Sequence, residues 1–272
     1  MDQVDKEGCP DKAVLLGRID MSTKPHRAAQ KIDSLMEQAS EALAATDYFE
    51  CERLAVDALA LAFSVSDYGR MARIILPLQE ARRNKRLAAL DAKKLVLLNE
   101  LPPEEEAIEP GCYLCEPPLV GADGRELRDR ADRQNVPVFV ISREPKTRLG
   151  KWPVVMIGPV TIRVRVDPPV DENRPDVQWF MEASEALGDS AVATVDPEAS
   201  IESRIEQLHE RLGTLTDHEK LHQALEETCR EAASLVAKGK LKPMLRKEST
   251  RRKTKRIKPL APSRVDDNDD DE

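Results

Sequence analysis

Three β-rich runs, VPVFVIS (136–142), WPVVMIG (152–158) and VTIRVRV (160–166), follow one another closely in a chain whose flanks repeat apolar residues at helical spacing. Extended segments need neighbours for their backbone groups, and three joined by short connections pair most simply with one another. The pattern therefore predicts an α+β fold, mainly α-helical, with a small antiparallel sheet in the middle. Its boundaries are read as 111–170, with Gly158-Pro159 in the middle turn. Asp123 precedes a short helical pattern and has Glu126 three residues on, the spacing of a capping box.

The flanks divide at composition breaks. Residues 1–28 lack apolar periodicity and are expected to be disordered. Ile32, Leu35, Met36, Ala39, Ala42 and Leu43 then form one helical stripe, and Leu54, Ala55, Ala58, Leu59 and Ala62 form a second. Thr46-Asp47-Tyr48 turns the chain between them. A third helix is predicted from Tyr68 to Leu98, kinked or split at Pro77, which lacks a backbone donor. The region 29–100 is thus helical, 101–110 (rich in Pro and Glu) is a linker, and the helical pattern resumes over 171–237 after DPPVDENRPD. There a helix over 177–187 carries the anchors Trp179 and Phe180 and stops at Gly188. Ile201, Ile205, Leu208 and Leu212 mark a second helix ending at Gly213, and Leu221, Leu225, Ala232 and Leu235 mark a third that starts at Thr216. These last two are expected to form an antiparallel pair.

DYFECERLAVDALALA resembles the second helix of a tetratricopeptide unit, with Cys51 and Ala58 at small positions and Ala39 at the small position of the preceding helix. The resemblance covers residues 31–62 and implies a helical hairpin used in protein binding. Gln38, Ala42 and Phe63 depart from the pattern, and a self-sufficient stack takes about three repeats.

Two motifs suggest metal chemistry. HEKLH places His218 and His222 four residues apart, on one helix face, with Glu219 between them, as in zinc hydrolases. Against this, Thr216 and Glu219 have capping-box spacing, Lys220 brings a cation into the motif, and His222 can pair with Glu226 one turn on. Cys112 and Cys115 form a lone C-x-x-C, half a zinc knuckle, followed by Glu116-Pro117-Pro118 where a redox motif would begin a helix. No third ligand is evident for either motif, and no cofactor is expected. Glycine-rich phosphate loops, dinucleotide fingerprints and nucleophile elbows are absent from the sequence.

The tail, 238–272, is expected to be disordered, first basic and then acidic, ending DDNDDDE. Lys247, Arg251, Arg252, Lys253, Lys255 and Arg256 lie in its basic run and suit phosphate backbones without sequence preference. Arg143, Lys146, Arg148, Lys151, Arg163 and Arg165 could extend that footprint. With aromatics at 3%, base-stacking modules have little to draw on.

Five cysteines, odd in number and unevenly spread, suit free thiols better than a disulfide framework. The acidic start and the lack of a long apolar run give no expectation of secretion or membrane insertion, so a cytoplasmic location is expected. The reading that follows is a non-catalytic protein-interaction or scaffold protein. Nucleic-acid association through the tail is the first alternative and a zinc hydrolase built on HEKLH the second.

Overall fold

A computed structural model describes residues 23–242. The segments 1–22 and 243–272 lie outside the described residues; they hold most of the stretch 1–28 expected to be disordered and the basic residues Lys247, Arg251, Arg252, Lys253, Lys255 and Arg256, whereas the last part of that stretch, from Thr23 on, is helical and begins α1. The chain runs α1 (Thr23–Ala44), α2 (Tyr48–Ser64), α3 (Tyr68–Asp91), β1 (Leu95–Leu98), β2 (Gly111–Cys115), α4 (Gly121–Arg133), β3 (Val138–Arg143), β4 (Trp152–Ile157), β5 (Thr161–Val166), α5 (Val177–Ala193), α6 (Ile201–Thr214) and α7 (Glu219–Ala237). It is mainly α-helical with one five-stranded sheet.

The first two turns repeat one local solution. Thr46 (φ 61°) and Ser66 (φ 54°) close their helices in the left-handed region. The following Asp47 and Asp67 donate their N–H groups back to the Ala42 and Ala62 carbonyls at 2.9 Å. Each aspartate side chain then accepts from the backbone three residues on, Glu50 N at 3.1 Å and Arg70 N at 3.0 Å, and so caps the next helix.

Several sequence expectations need correction. Pro77 does not split α3. Ile74, Ile75 and Leu78 around it are fully buried, and their packing holds the helix through the missing bond. The helix ends at Asp91, and Leu95–Leu98 is a strand. The sheet is mixed: β1, β2 and β3 are parallel, and only the pairs β3–β4 and β4–β5 are antiparallel. Parallel pairing of β2 with β3 needs a crossover, which α4 supplies. Asp123 sits inside α4, where its carboxylate accepts from Val120 N at 2.7 Å. In α5 the helix continues through Gly188, and α7 begins at Glu219, three residues after Thr216.

The sheet has two unlike faces. Cys112, Leu114, Phe139, Ile141, Trp152, Val154 and Met156 join one large core with residues of α1, α2, α3, α5, α6 and α7. Tyr113, Cys115, Val138 and Val140 face a smaller core closed by Leu127 and Ala131 of α4 and by Ile108. Trp179 and Phe180 anchor α5 as expected, in edge-on contact with Trp152 and Phe139 at 5.3 and 5.1 Å between ring centres. Among the described residues no helix is long and apolar enough to cross a membrane.

Candidate functional site

The segment QEARRNKR of α3 is charged, yet Arg82, Lys85 and Arg86 turn inward, with side chains only 8%, 11% and 12% exposed. Buried cations require partners. Glu52 of α2 supplies the first: Oε1 accepts from Arg82 Nε at 2.7 Å and Oε2 from Lys85 Nζ at 2.5 Å. Lys85 also reaches Asp132 of α4 at 2.6 Å and lies 4.3 Å from the centre of the Phe49 ring. Burial alone would raise the Glu52 carboxyl, but the Arg82 and Lys85 charges outweigh it and hold the group at about 2.

HEKLH meets this hub from α7. His222 Nδ1 is 2.9 Å from the His218 carbonyl, which can only accept, so the proton is assigned to Nδ1. Nε2 then accepts from Arg82 Nη1 at 3.3 Å. Both ring nitrogens are therefore occupied within the protein. Burial, reinforced by Arg82, pushes the imidazole well below 6.5, to about 3. His218 points elsewhere, with Nδ1 3.4 Å from Glu185 and Nε2 3.5 Å from Asp189, both on α5. Glu219 faces Arg83 and Arg86 at 3.6 and 3.7 Å instead of reaching Thr216, and Glu226 pairs with Arg230 instead of His222. His218, Glu219 and His222 thus face three different sets of partners, and Lys220, the fourth polar residue of the motif, pairs with Asp189 at 2.6 Å.

Cys112 and Cys115 are brought no closer to shared chemistry. Three residues apart on one strand, they point to opposite faces of the sheet, Cys112 into the large core and Cys115 into the small one. Burial raises both thiols to about 11. Among the described residues no group of three or more His, Cys, Asp or Glu side chains is placed to hold a metal ion.

No family model, curated protein or solved structure matches the chain. The geometry has to speak for itself, and it offers two concave surfaces beside the hub. A polar cavity of about 520 Å³ is lined by Phe49, Glu52, Lys85, Asp132, Arg133 and Asn135, among others. A more apolar groove of about 370 Å³ runs between Val56, Leu59, Ala60 and Phe63 of α2 and Pro159, Leu212 and Gly213, with Leu78 and Arg82 of α3 also lining it. Arg82 therefore serves both the hub and the groove. The basic side chains of the sheet region are largely spoken for: Arg143 pairs with Glu116, Lys146 with Glu172, Lys151 with Asp167 and Arg163 with Glu144.

The hub makes a directional pH prediction. A folded His222 takes up its proton near 3 and an unfolded one near 6.5, so the unfolded chain binds more protons between those values. Stability should therefore fall as pH falls through that window, by up to about 1.4 kcal/mol per pH unit for one group. Glu52 adds to the loss below 4.5, because its paired carboxylate is protonated only as pH falls through about 2. Urea midpoints measured across this range should decline with acid, and His222→Gln should flatten the upper part of the slope. A flat wild-type profile would contradict the assignment.

Proposed function

We propose that the chain is a non-catalytic, intracellular interaction protein whose α2 groove receives an amphipathic helix from a partner protein. The observation that carries this reading is the groove itself. Its α2 wall is formed by Val56, Leu59, Ala60 and Phe63, and Val56 is 40% exposed. Val56 and Ala60 are exposed, Leu59 is buried in the wall and the His209 ring stacks on Phe63 at 4.2 Å; a short apolar ridge of this kind is what the apolar face of a helix fits. Glu210 also lines the groove, which favours a partner helix with Lys or Arg on its flank.

Reading α1–α2 as a tetratricopeptide-like hairpin belongs to the same proposal. Ala39, Cys51 and Ala58, the small positions of the resemblance, are fully buried, which lets α1, α2 and α3 approach closely. Binding rather than catalysis is supported by the engagement of both ring nitrogens of His222 and by the burial of Cys51, Cys112, Cys115 and Cys229.

The test uses the full chain and a panel of amphipathic helical peptides with basic or acidic flanks, read by fluorescence anisotropy. Basic-flanked peptides should bind, and Ala60→Arg, which places a long cation in the groove, should weaken them by on the order of tenfold or more while leaving thermal unfolding unchanged. Binding that ignores Ala60→Arg, or a preference for acidic flanks, would refute the proposal.

A further inference from the structure

Among the described residues Leu76 is the most exposed large apolar side chain carried by a helix, at 65%. It stands on the outer face of α3, which the helical period builds from Gly69, Arg73, Leu76, Glu80 and Arg83, all exposed. Beside it a groove of about 410 Å³ opens between α3 and α7, with Gly69, Ala72 and Leu76 on one wall and Arg230 and Ala233 on the other.

Charge is distributed unevenly along this face. Arg73 lies one turn before Leu76 and Glu80 one turn after it. α7 runs antiparallel to α3, with Ala233 beside Gly69 and Glu219 beside Arg83, so Arg230 comes level with Ala72 and adds a second cation at the Arg73 end. Neither Arg73 nor Glu80 is buried by its present partners. Arg73 lies 3.9 Å from Asp33, and Glu80 lies 3.8 Å from Arg83 with one oxygen accepting from Asn84 at 3.0 Å. Exposed ion pairs at such separations are weak, which leaves both charges available to a further partner.

We infer that this face packs on the same face of a second copy of the chain, across a two-fold axis that crosses α3 between Leu76 and Pro77. The two α3 helices then run antiparallel, and residues equally far from the axis oppose each other. Arg73 of each copy meets Glu80 of the other, at both ends of the contact, while the two Leu76 side chains meet in the middle beside Pro77. The neighbouring registers fail. An axis one turn back, at Arg73, sets that cation against itself, and an axis one turn on, at Glu80, does the same with two carboxylates. All of these residues lie within one continuous helix, Tyr68–Asp91, so the opposition holds along the whole contact. The face is thus complementary to itself in a single register. A contact of a few turns of α3 and α7 buries less than about 1,200 Å² in total, the range of weak complexes, so the dissociation constant should lie in the micromolar range.

Sedimentation equilibrium of the full chain at low salt tests the inference. The wild type should be a dimer that dissociates on dilution through the micromolar range. Leu76→Asp, which sets two carboxylates together at the axis, should raise the dissociation constant by on the order of tenfold or more. Arg73→Glu and Glu80→Arg should each raise it by on the order of tenfold, since each sets like charges opposite one another at both ends. An equimolar mixture of these two variants should dimerise again, because each mixed pair restores two opposite-charge contacts, and the double variant should dimerise alone. Thermal unfolding of each variant serves as the check that it folds. A wild type still monomeric at about 1 mM, a dimer indifferent to all three substitutions, or a mixture no tighter than either charge variant alone would overturn it. So would a chain that stays monomeric and binds a foreign helical peptide at this face, with that binding lost on Leu76→Asp.

Discussion

Arg82→Ala is expected to lower the free energy of unfolding by about 3 kcal/mol, the lower end of the cost of breaking a buried ion pair. The substitution removes the guanidinium from Glu52, whose side chain is 14% exposed, and takes the donor from His222 Nε2. Lys85 remains on the other Glu52 oxygen, which keeps the loss from being larger. Replacing both partners, Arg82→Met with Glu52→Leu, should recover part of it, because the under-compensated Glu52 charge is gone while Lys85, which loses Glu52, keeps Asp132 at 2.6 Å. By contrast Arg53→Ala, which breaks the exposed pairs with Glu50 and Asp57, should cost no more than about 0.5 kcal/mol. Urea titrations at one fixed protein concentration give all of these values. An Arg82→Ala protein within about 1 kcal/mol of wild type would mean that the hub is not a structural lock.

The second large effect is at Gly188. A Cβ placed there would overlap the ring of His218, and His218 is 5% exposed with Glu185 and Asp189 beside it, so the ring has little room to withdraw. Gly188→Ala should therefore destabilise by about 2 kcal/mol or more, even though alanine favours helix by up to about 1 kcal/mol over glycine. His218→Ala in the same chain should relieve the overlap, leaving the double variant more stable than Gly188→Ala alone. Simple additivity of two losses in a double-mutant cycle would defeat this explanation.

The same position shows how far the sequence could be read. A glycine late in a helical pattern is read locally as a stop, but here it is a point of close approach to a side chain 30 positions later. Local signals served well where local physics decides. The stripes of α1, α2, α6 and α7, the anchors Trp179 and Phe180, and the runs that became β3, β4 and β5 were all legible. Leu95–Leu98 was not, because four apolar residues after a long helix continue its pattern and only pairing with Cys112 to Cys115 makes them a strand. HEKLH was legible as a spacing but not as a set of contacts, since its partners Arg82, Arg83, Arg86, Glu185 and Asp189 come from α3 and α5. Of the hub residues that went unread, Arg82 and Lys85 had a signal: several cations on a helix that also carries Leu78 and Ala81, both buried, need acids opposite.

One consequence concerns the order in which the molecule can be completed. Arg82 meets Glu52 across 30 residues, but it meets His222 across 140, and Arg86 meets the Asp217 carbonyl across 131. During synthesis at about 5–20 residues per second, α1, α2 and α3 therefore spend many seconds with one flank of α3 uncovered, until α7 has left the ribosome. Over that interval Ala72, which lies beside Ala233 of α7, lacks part of its native cover, while the early pairing with Glu52 already shields part of the charge of α3. Among the described residues α7 is the last helix to emerge, and it is the one that covers α3, so that flank of α3 is completed late.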